Sequence, residues 1–212
     1  MIKSSDIVII GGGIIGSSLA YHLSKLGINN ICLLEKGELA SGSTGDSAAI
    51  IRHHYTNELS INLVQESISI LSRLQEETGK HFLYKKGWIF FCPENASSMF
   101  DLNMKQLTNL GVNTRTIDFK YANTLLPKFN TNGISKIAFE PDAGYAEPKL
   151  VVNAFAEVAK RNGVKVYTNT KVLGVTQSNN SITSVETNNG RINTDTIINA
   201  AGPWACEISN FV

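Results

Sequence analysis

The stretch Ile7-Val8-Ile9-Ile10-Gly11-Gly12-Gly13-Ile14-Ile15-Gly16 decides the fold, together with the amphipathic run to Gly27 and the segment Ile31-Cys32-Leu33-Leu34-Glu35 that follows. Four β-branched apolar residues halted by glycines read as a buried strand. Gly11, Gly13 and Gly16 match the G-x-G-x-x-G spacing, and each has its own mechanical task. Gly11 permits the tight turn out of the strand, Gly13 lets backbone approach a pyrophosphate, and Gly16 lets the next helix pack closely on the sheet. The helix expected over Ile14–Leu26 aims its first-turn N–H groups, those of Ile14 and Ile15 among them, and its positive dipole end at the phosphates. Glu35 closes the second strand, where a carboxylate accepts hydrogen bonds from ribose hydroxyls and repels a 2′-phosphate. These residues, with the adjacent Lys36, form the expected cradle of a dinucleotide.

A chain of 212 residues with 42% hydrophobic and 17% charged residues has the composition of an ordinary globular protein. A net charge of +1 gives no reason to expect nucleic acid or an acidic membrane as partner. No segment is apolar enough over sufficient length to span a bilayer. Cys32, Cys92 and Cys206 are odd in number and far apart. They form neither a disulfide framework nor a metal-ligand pattern, so the expected setting is a reducing cytoplasm and no metal is expected.

Past Glu35, the small and hydroxyl-rich run Lys36 to Ser47 leaves a ribose-binding strand end and must pass the cofactor crevice. Ser43 and Thr44 are therefore expected to face the phosphates. Arg52-His53-His54-Tyr55 follows, four side chains poorly suited to a core. Asn57 to Thr78 reads as a scaffold helix with Ile61, Val64, Ile68, Leu71 and Leu74 on one face. Residues 81–147 change character: strands at Gly87–Cys92, Val112–Ile117 and Gly133–Glu140 alternate irregularly with shorter helices. From Pro148 a strong helix runs to Arg161. The strand Val164–Tyr167 follows, then alternating strands to Asn193 and a buried strand Thr196–Ala200. Ala200, Ala201 and Gly202, followed by Trp204, again permit close approach to a ligand at a strand end. The expectation is an α/β protein: a doubly wound Rossmann-like sheet built from residues 1–80 and 148–212, with an α+β substrate domain inserted at 81–147.

Four stretches together resemble the FAD-dependent amine and amino-acid oxidoreductases typified by sarcosine oxidase, glycine oxidase and D-amino-acid dehydrogenase. They are Asp6 to Glu35, Ser41 to Tyr55, Asp142 to Val166, and Ile198 to Trp204. The second and fourth are the more diagnostic. The resemblance implies FAD, with Val172 touching the adenine through its backbone and Ala200, Gly202 and Trp204 beside the cofactor. It also places Arg52 where such proteins hold the substrate carboxylate, a role that suits a planar two-pronged donor. His53 and His54 are then hydrogen-bonding walls of the active site rather than bases. Some relatives attach flavin through a histidine between the Gly-Ser-Thr and the alanines. Here Gly45-Asp46-Ser47 stands in that place, and no histidine matches.

The implied reaction is oxidation of the C–N bond of a small carboxylate-bearing amine, an amino acid or N-methyl amino acid. Members of the resembled family are almost twice as long, so the chain is expected to be incomplete, or a second polypeptide to supply the remainder. Two alternatives stand beside this reading: a non-catalytic FAD-binding subunit or inactive fragment, and an NAD-dependent dehydrogenase. The last would need regular βα units after Glu35, which residues 82–140 do not offer.

Overall fold

A computed structural model describes residues 2–28 and 30–212. In chain order its elements are β1 (Ile7–Ile10), α1 (Ile14–Lys25), β2 (Ile31–Leu34), β3 (Ile50–Ile51), α2 (Glu58–Thr78), β4 (Leu83–Lys85) and β5 (Trp88–Pro93). Then come α3 (Ser97–Asn109), β6 (Arg115–Ile117), α4 (Phe119–Leu125), β7 (Ile134–Glu140), β8 (Gly144–Ala146) and α5 (Pro148–Arg161). The chain continues through β9 (Lys165–Tyr167), β10 (Val172–Ser178), β11 (Ser181–Thr187), β12 (Gly190–Asn193), β13 (Thr196–Asn199) and α6 (Ala205–Ser209).

Two compact units result. The first combines Met1–Ala48, Leu74–Phe82 and Glu147–Val212; the second combines Ala49–Arg73 and Leu83–Ala146. Residues 49–73, which the sequence reading grouped with 1–80, thus pack with the second unit. The physical reason is the short strand β3, which pairs with β8 and draws the start of α2 with it.

The first unit is built on a parallel sheet in the order β13-β1-β2-β9. Because strand side chains alternate between faces, each face has its own core. Ile9, Ile31 and Leu33 pack with Ala20 of α1 and Ala159 of α5 on one side. Val8, Ile10, Cys32 and Leu34 pack with Val172, Val185 and Ile192 on the other. The covering layer on that second side is the antiparallel sheet β10-β11-β12 rather than helices. Strand β13, expected to be buried, lies at the sheet edge with Thr196 and Asn199 exposed. Pro148 starts α5 and Val151, Val152, Phe155 and Val158 form its buried stripe, as the 3.6-residue period dictates.

The second unit holds two three-stranded antiparallel sheets, β3-β8-β4 and β5-β7-β6. Strands β3, β4 and β8 are only two or three residues long, too short for alternation to reveal them in sequence. Pro93 ends the edge strand β5, a position where a missing N–H is tolerated. Asn57 caps α2 by accepting the Ser60 N–H at 2.8 Å, and Ile61 packs with Leu107 and Val112. Among the described residues, no helix is long and apolar enough to cross a membrane.

Candidate functional site

The carboxyl ends of β1, β2 and β13 in the first unit border a cavity of about 730 Å³, within the usual range for ligand sites. Every residue expected to hold the cofactor lines it except Gly16. The three motif glycines owe their identity to different constraints. Gly11 has φ +116°, and a Cβ there would lie 2.3 Å from the Ala200 carbonyl oxygen. A Cβ on Gly16 would lie 1.9 Å from the Gly11 oxygen, so this glycine seats α1 against the turn. Gly13 is different, since its Cβ position meets only Thr44 Oγ1, at 3.0 Å, and otherwise opens away from the protein.

Glu35 is anchored from two sides. Its Oε2 accepts the Gly12 N–H at 2.7 Å and its Oε1 accepts the Gly37 N–H at 2.8 Å. A carboxylate offers about four acceptor sites, so lone pairs remain on both oxygens. Thr44 Oγ1 accepts the Ile14 N–H at 3.1 Å. That donor, expected to face a phosphate, is instead capped by the facing loop, because the N-cap itself is the side-chain-free Gly13. Ile15 remains on the cavity wall, with 69% of its surface exposed. Lys36 Nζ stands 3.5 Å from the centre of the Trp204 ring. The indole in turn lies so near Gly42 that a Cβ there would approach it to 3.2 Å. Ser43, Val172, Ala200 and Gly202 complete the wall.

Arg52, His53 and His54 belong to the second unit, where the two histidines lie against Glu140. The Glu140 side chain is fully buried. It accepts the His53 backbone N–H at 2.9 Å (Oε1) and 3.1 Å (Oε2), and its Oε1 lies 2.6 Å from His53 Nδ1. An ionised carboxylate only accepts, which assigns the proton to His53 Nδ1. His54 stacks on Phe90 at 5.2 Å, and its Nε2 lies 3.0 Å from Thr114 Oγ1. Since the Thr114 hydroxyl donates to the Phe139 carbonyl at 3.3 Å, it accepts from His54 Nε2–H. His54 Nδ1 is left as a buried lone pair with no partner among the described residues. Burial, aided by the Arg52 and His53 charges and opposed by Glu140, holds the His54 pKa below its ordinary 6.5. Arg52 donates through one terminal nitrogen to the His54 carbonyl, and its guanidinium carbon lies 4.9 Å from the centre of the Tyr55 ring. Among the described residues, no group of three or more His, Cys, Asp or Glu side chains is placed to hold a metal.

The sequence reading missed Gly12 and Glu140. Gly12 gained no task from the motif, yet its N–H fixes the Glu35 carboxylate. Glu140 occupies the same inward face of β7 as Ala138. An acid at an inward strand position was the available signal.

The FAD dependent oxidoreductase family matches residues 6–211. The chain belongs to this family. The fold of this chain is similar to part of the crystal structure of L-proline dehydrogenase from P. horikoshii. That structure superposes with a TM-score of 0.90 at 31% identity, over 100% of this chain and 56% of the other. Similarity extends to the mitochondrial pyruvate dehydrogenase phosphatase regulatory subunit of Mus musculus, 32% identical over 96% of this chain and 24% of that protein. The mitochondrial sarcosine dehydrogenase of Homo sapiens is 29% identical over 97% of this chain and 23% of its own length. The chain thus spans about a quarter of the length of these two relatives. The residues present fit the family cofactor: Gly13 leaves open the space that a Cβ would fill, and Glu35 keeps acceptor capacity toward the cavity.

Proposed function

We propose that this chain binds FAD in the first-unit cavity and serves the oxidation of a C–N bond in a small carboxylate-bearing amine, an amino acid or N-methyl amino acid. The observation that carries the reading is the doubly anchored Glu35 facing a glycine-walled cavity at the strand ends. Glu35 receives the adenosine ribose, and Gly13 and Ile15 face the pyrophosphate. Val172 borders the adenine, while Ser43, Thr44, Ala200, Gly202 and the Lys36–Trp204 pair enclose the cofactor. Bound flavin supplies the two-electron acceptor.

Arg52 holds the substrate carboxylate. Only one of its terminal nitrogens is engaged by protein among the described residues, which leaves N–H groups for a charged acceptor. Such a bond contributes roughly 1.5–3 kcal/mol, enough to orient a small substrate. Loss of a hydride from the carbon beside nitrogen, to the two-electron acceptor, and of the nitrogen's proton to solvent gives an imine that water hydrolyses, and His53 and His54 act as walls. His53 Nδ1 bonds to Glu140 and His54 Nε2 to Thr114, which holds both rings in place.

FAD loading followed by anaerobic mixing with sarcosine, proline and other amino acids tests the reading. Bleaching of the visible flavin band by at least one of them, lost in Arg52→Ala with flavin content intact, is the expected result. Bleaching that persists in Arg52→Ala removes the arginine assignment.

A second reading, a non-catalytic FAD-binding subunit, draws support from the mouse relative, which is named as a regulatory subunit. Tight flavin binding without bleaching by any amino acid is its signature. Other polypeptide segments completing the site suit the greater length of the relatives. Nothing in the second unit supports NAD, since its sheets are antiparallel and carry no βα repeat. The three free cysteines support a reducing compartment, either the cytoplasm of the sequence reading or the mitochondria for which both relatives are named.

A further inference from the structure

We propose that Glu140 is a positioning residue for Arg52: its buried carboxylate fastens His53 by backbone and ring, and the turn held in this way presents the Arg52 guanidinium to a carboxylate ligand. The proposal rests on the reading of Arg52 given above.

Glu140 has no exposed surface, and no lysine or arginine bridges to it among the described residues. Burying a carboxylate costs free energy, and an apolar side chain of similar volume commonly serves stability as well or better. What this carboxylate provides instead is geometry. Its bonds converge on His53, at the backbone N–H and at Nδ1, while His54 Nε2 stands 3.8 Å from Oε2. His53 then accepts the Tyr55 N–H through its carbonyl at 2.6 Å, which closes a tight turn. The two contacts that orient the Arg52 guanidinium, the His54 carbonyl and the Tyr55 ring, lie within this turn. Freed from Glu140, His53 loses its anchor and both contacts on the arginine move with it. An arginine that must meet a carboxylate with two prongs is sensitive to such a shift, because fork geometry demands alignment of both N–H groups.

The test measures binding of propionate, with neutral propionamide as control, to the FAD-loaded protein by calorimetry, alongside FAD affinity. Wild type is expected to prefer propionate, and Arg52→Ala to lose that preference. Glu140→Ala should weaken propionate at least about tenfold while propionamide and FAD bind as before. Glu140→Gln keeps one acceptor oxygen for His53 and should recover part of the affinity. Wild-type propionate affinity in Glu140→Ala or Glu140→Gln, with Arg52→Ala impaired, overturns the positioning role and leaves the arginine reading intact. Equal weakening of propionate and propionamide also overturns it, as a general loss of structure. If Glu140→Ala does not fold, Glu140→Gln decides. Unchanged binding in Arg52→Ala, or a wild type with no preference for propionate, defeats the arginine reading and this proposal with it.

Discussion

The Gly12 N–H donates to Glu35 Oε2 at 2.7 Å, so a residue of the glycine turn fixes the acid at the end of the neighbouring strand. The bond joins the glycine turn directly to the end of the neighbouring strand. Glu35→Ala removes this link, the matching one to Gly37, and the proposed ribose acceptor together. FAD affinity is expected to fall by at least about tenfold, in line with the loss of a charge-assisted bond. Fluorescence titration with FAD checks this, and an unchanged affinity would remove Glu35 from the site.

The glycines separate stability from binding. Gly16→Ala forces a Cβ to 1.9 Å from the Gly11 oxygen. It should destabilise the apoprotein by about 1–3 kcal/mol or more, the usual cost of overpacking. Gly13→Ala meets only the Thr44 side chain, at 3.0 Å, so its apoprotein should lose much less stability than Gly16→Ala while FAD binding fails. Calorimetric melts with and without FAD distinguish the two. A Gly13→Ala protein that still gains wild-type stability from FAD would contradict the cradle.

Acid should weaken the second unit through His54. Its folded pKa lies below the ordinary 6.5, chiefly because burial disfavours the charged form. Below pH 6.5 the unfolded chain therefore binds the proton first, and stability falls with pH until the folded form also protonates. The contribution is complete above 6.5 and is lost on acidification. Melting temperatures measured from pH 7.5 to 5.5 should show a steeper fall for wild type than for His54→Phe, which retains a ring against Phe90. Parallel slopes would assign the acid sensitivity elsewhere.

The thiols should differ sharply. Burial pushes the Cys32 thiol up to about 12, and Cys92 is also buried, whereas Cys206 is exposed. Because the thiolate is the nucleophile, a thiol reagent at pH 8 should modify Cys206 alone in the native protein. Cys32 and Cys92 should follow only after denaturation. Rapid native labelling of Cys32, read by peptide mass spectrometry, would refute its place in the sheet.

The first unit was legible in sequence because each of its constraints is local. Strand, glycine turn, helix and acid lie within Ile7–Glu35, and a glycine that admits no Cβ leaves a visible trace. The hydroxyl-rich loop bearing Thr44 was legible as cavity wall, but its bond to Ile14 depends on the way the loop folds back. The second unit hid more. Strands β3, β4 and β8 are too short for a pattern, and they exist because distant segments pair. Glu140 lies 87 positions from His53. No spacing rule links them, and only the inward register of β7 brings that acid to the turn.

The register of β1 also dictates when the fold can close. Ile7 pairs on one side with Ile31 and on the other with Thr196. As a ribosome releases the chain, β1 and β2 can meet early, but the second edge of β1 waits until the whole intervening unit has been made. An apolar parallel edge left open for that interval invites pairing with other chains. A nascent chain halted before Thr196 should therefore depend on chaperones until the last strand arrives.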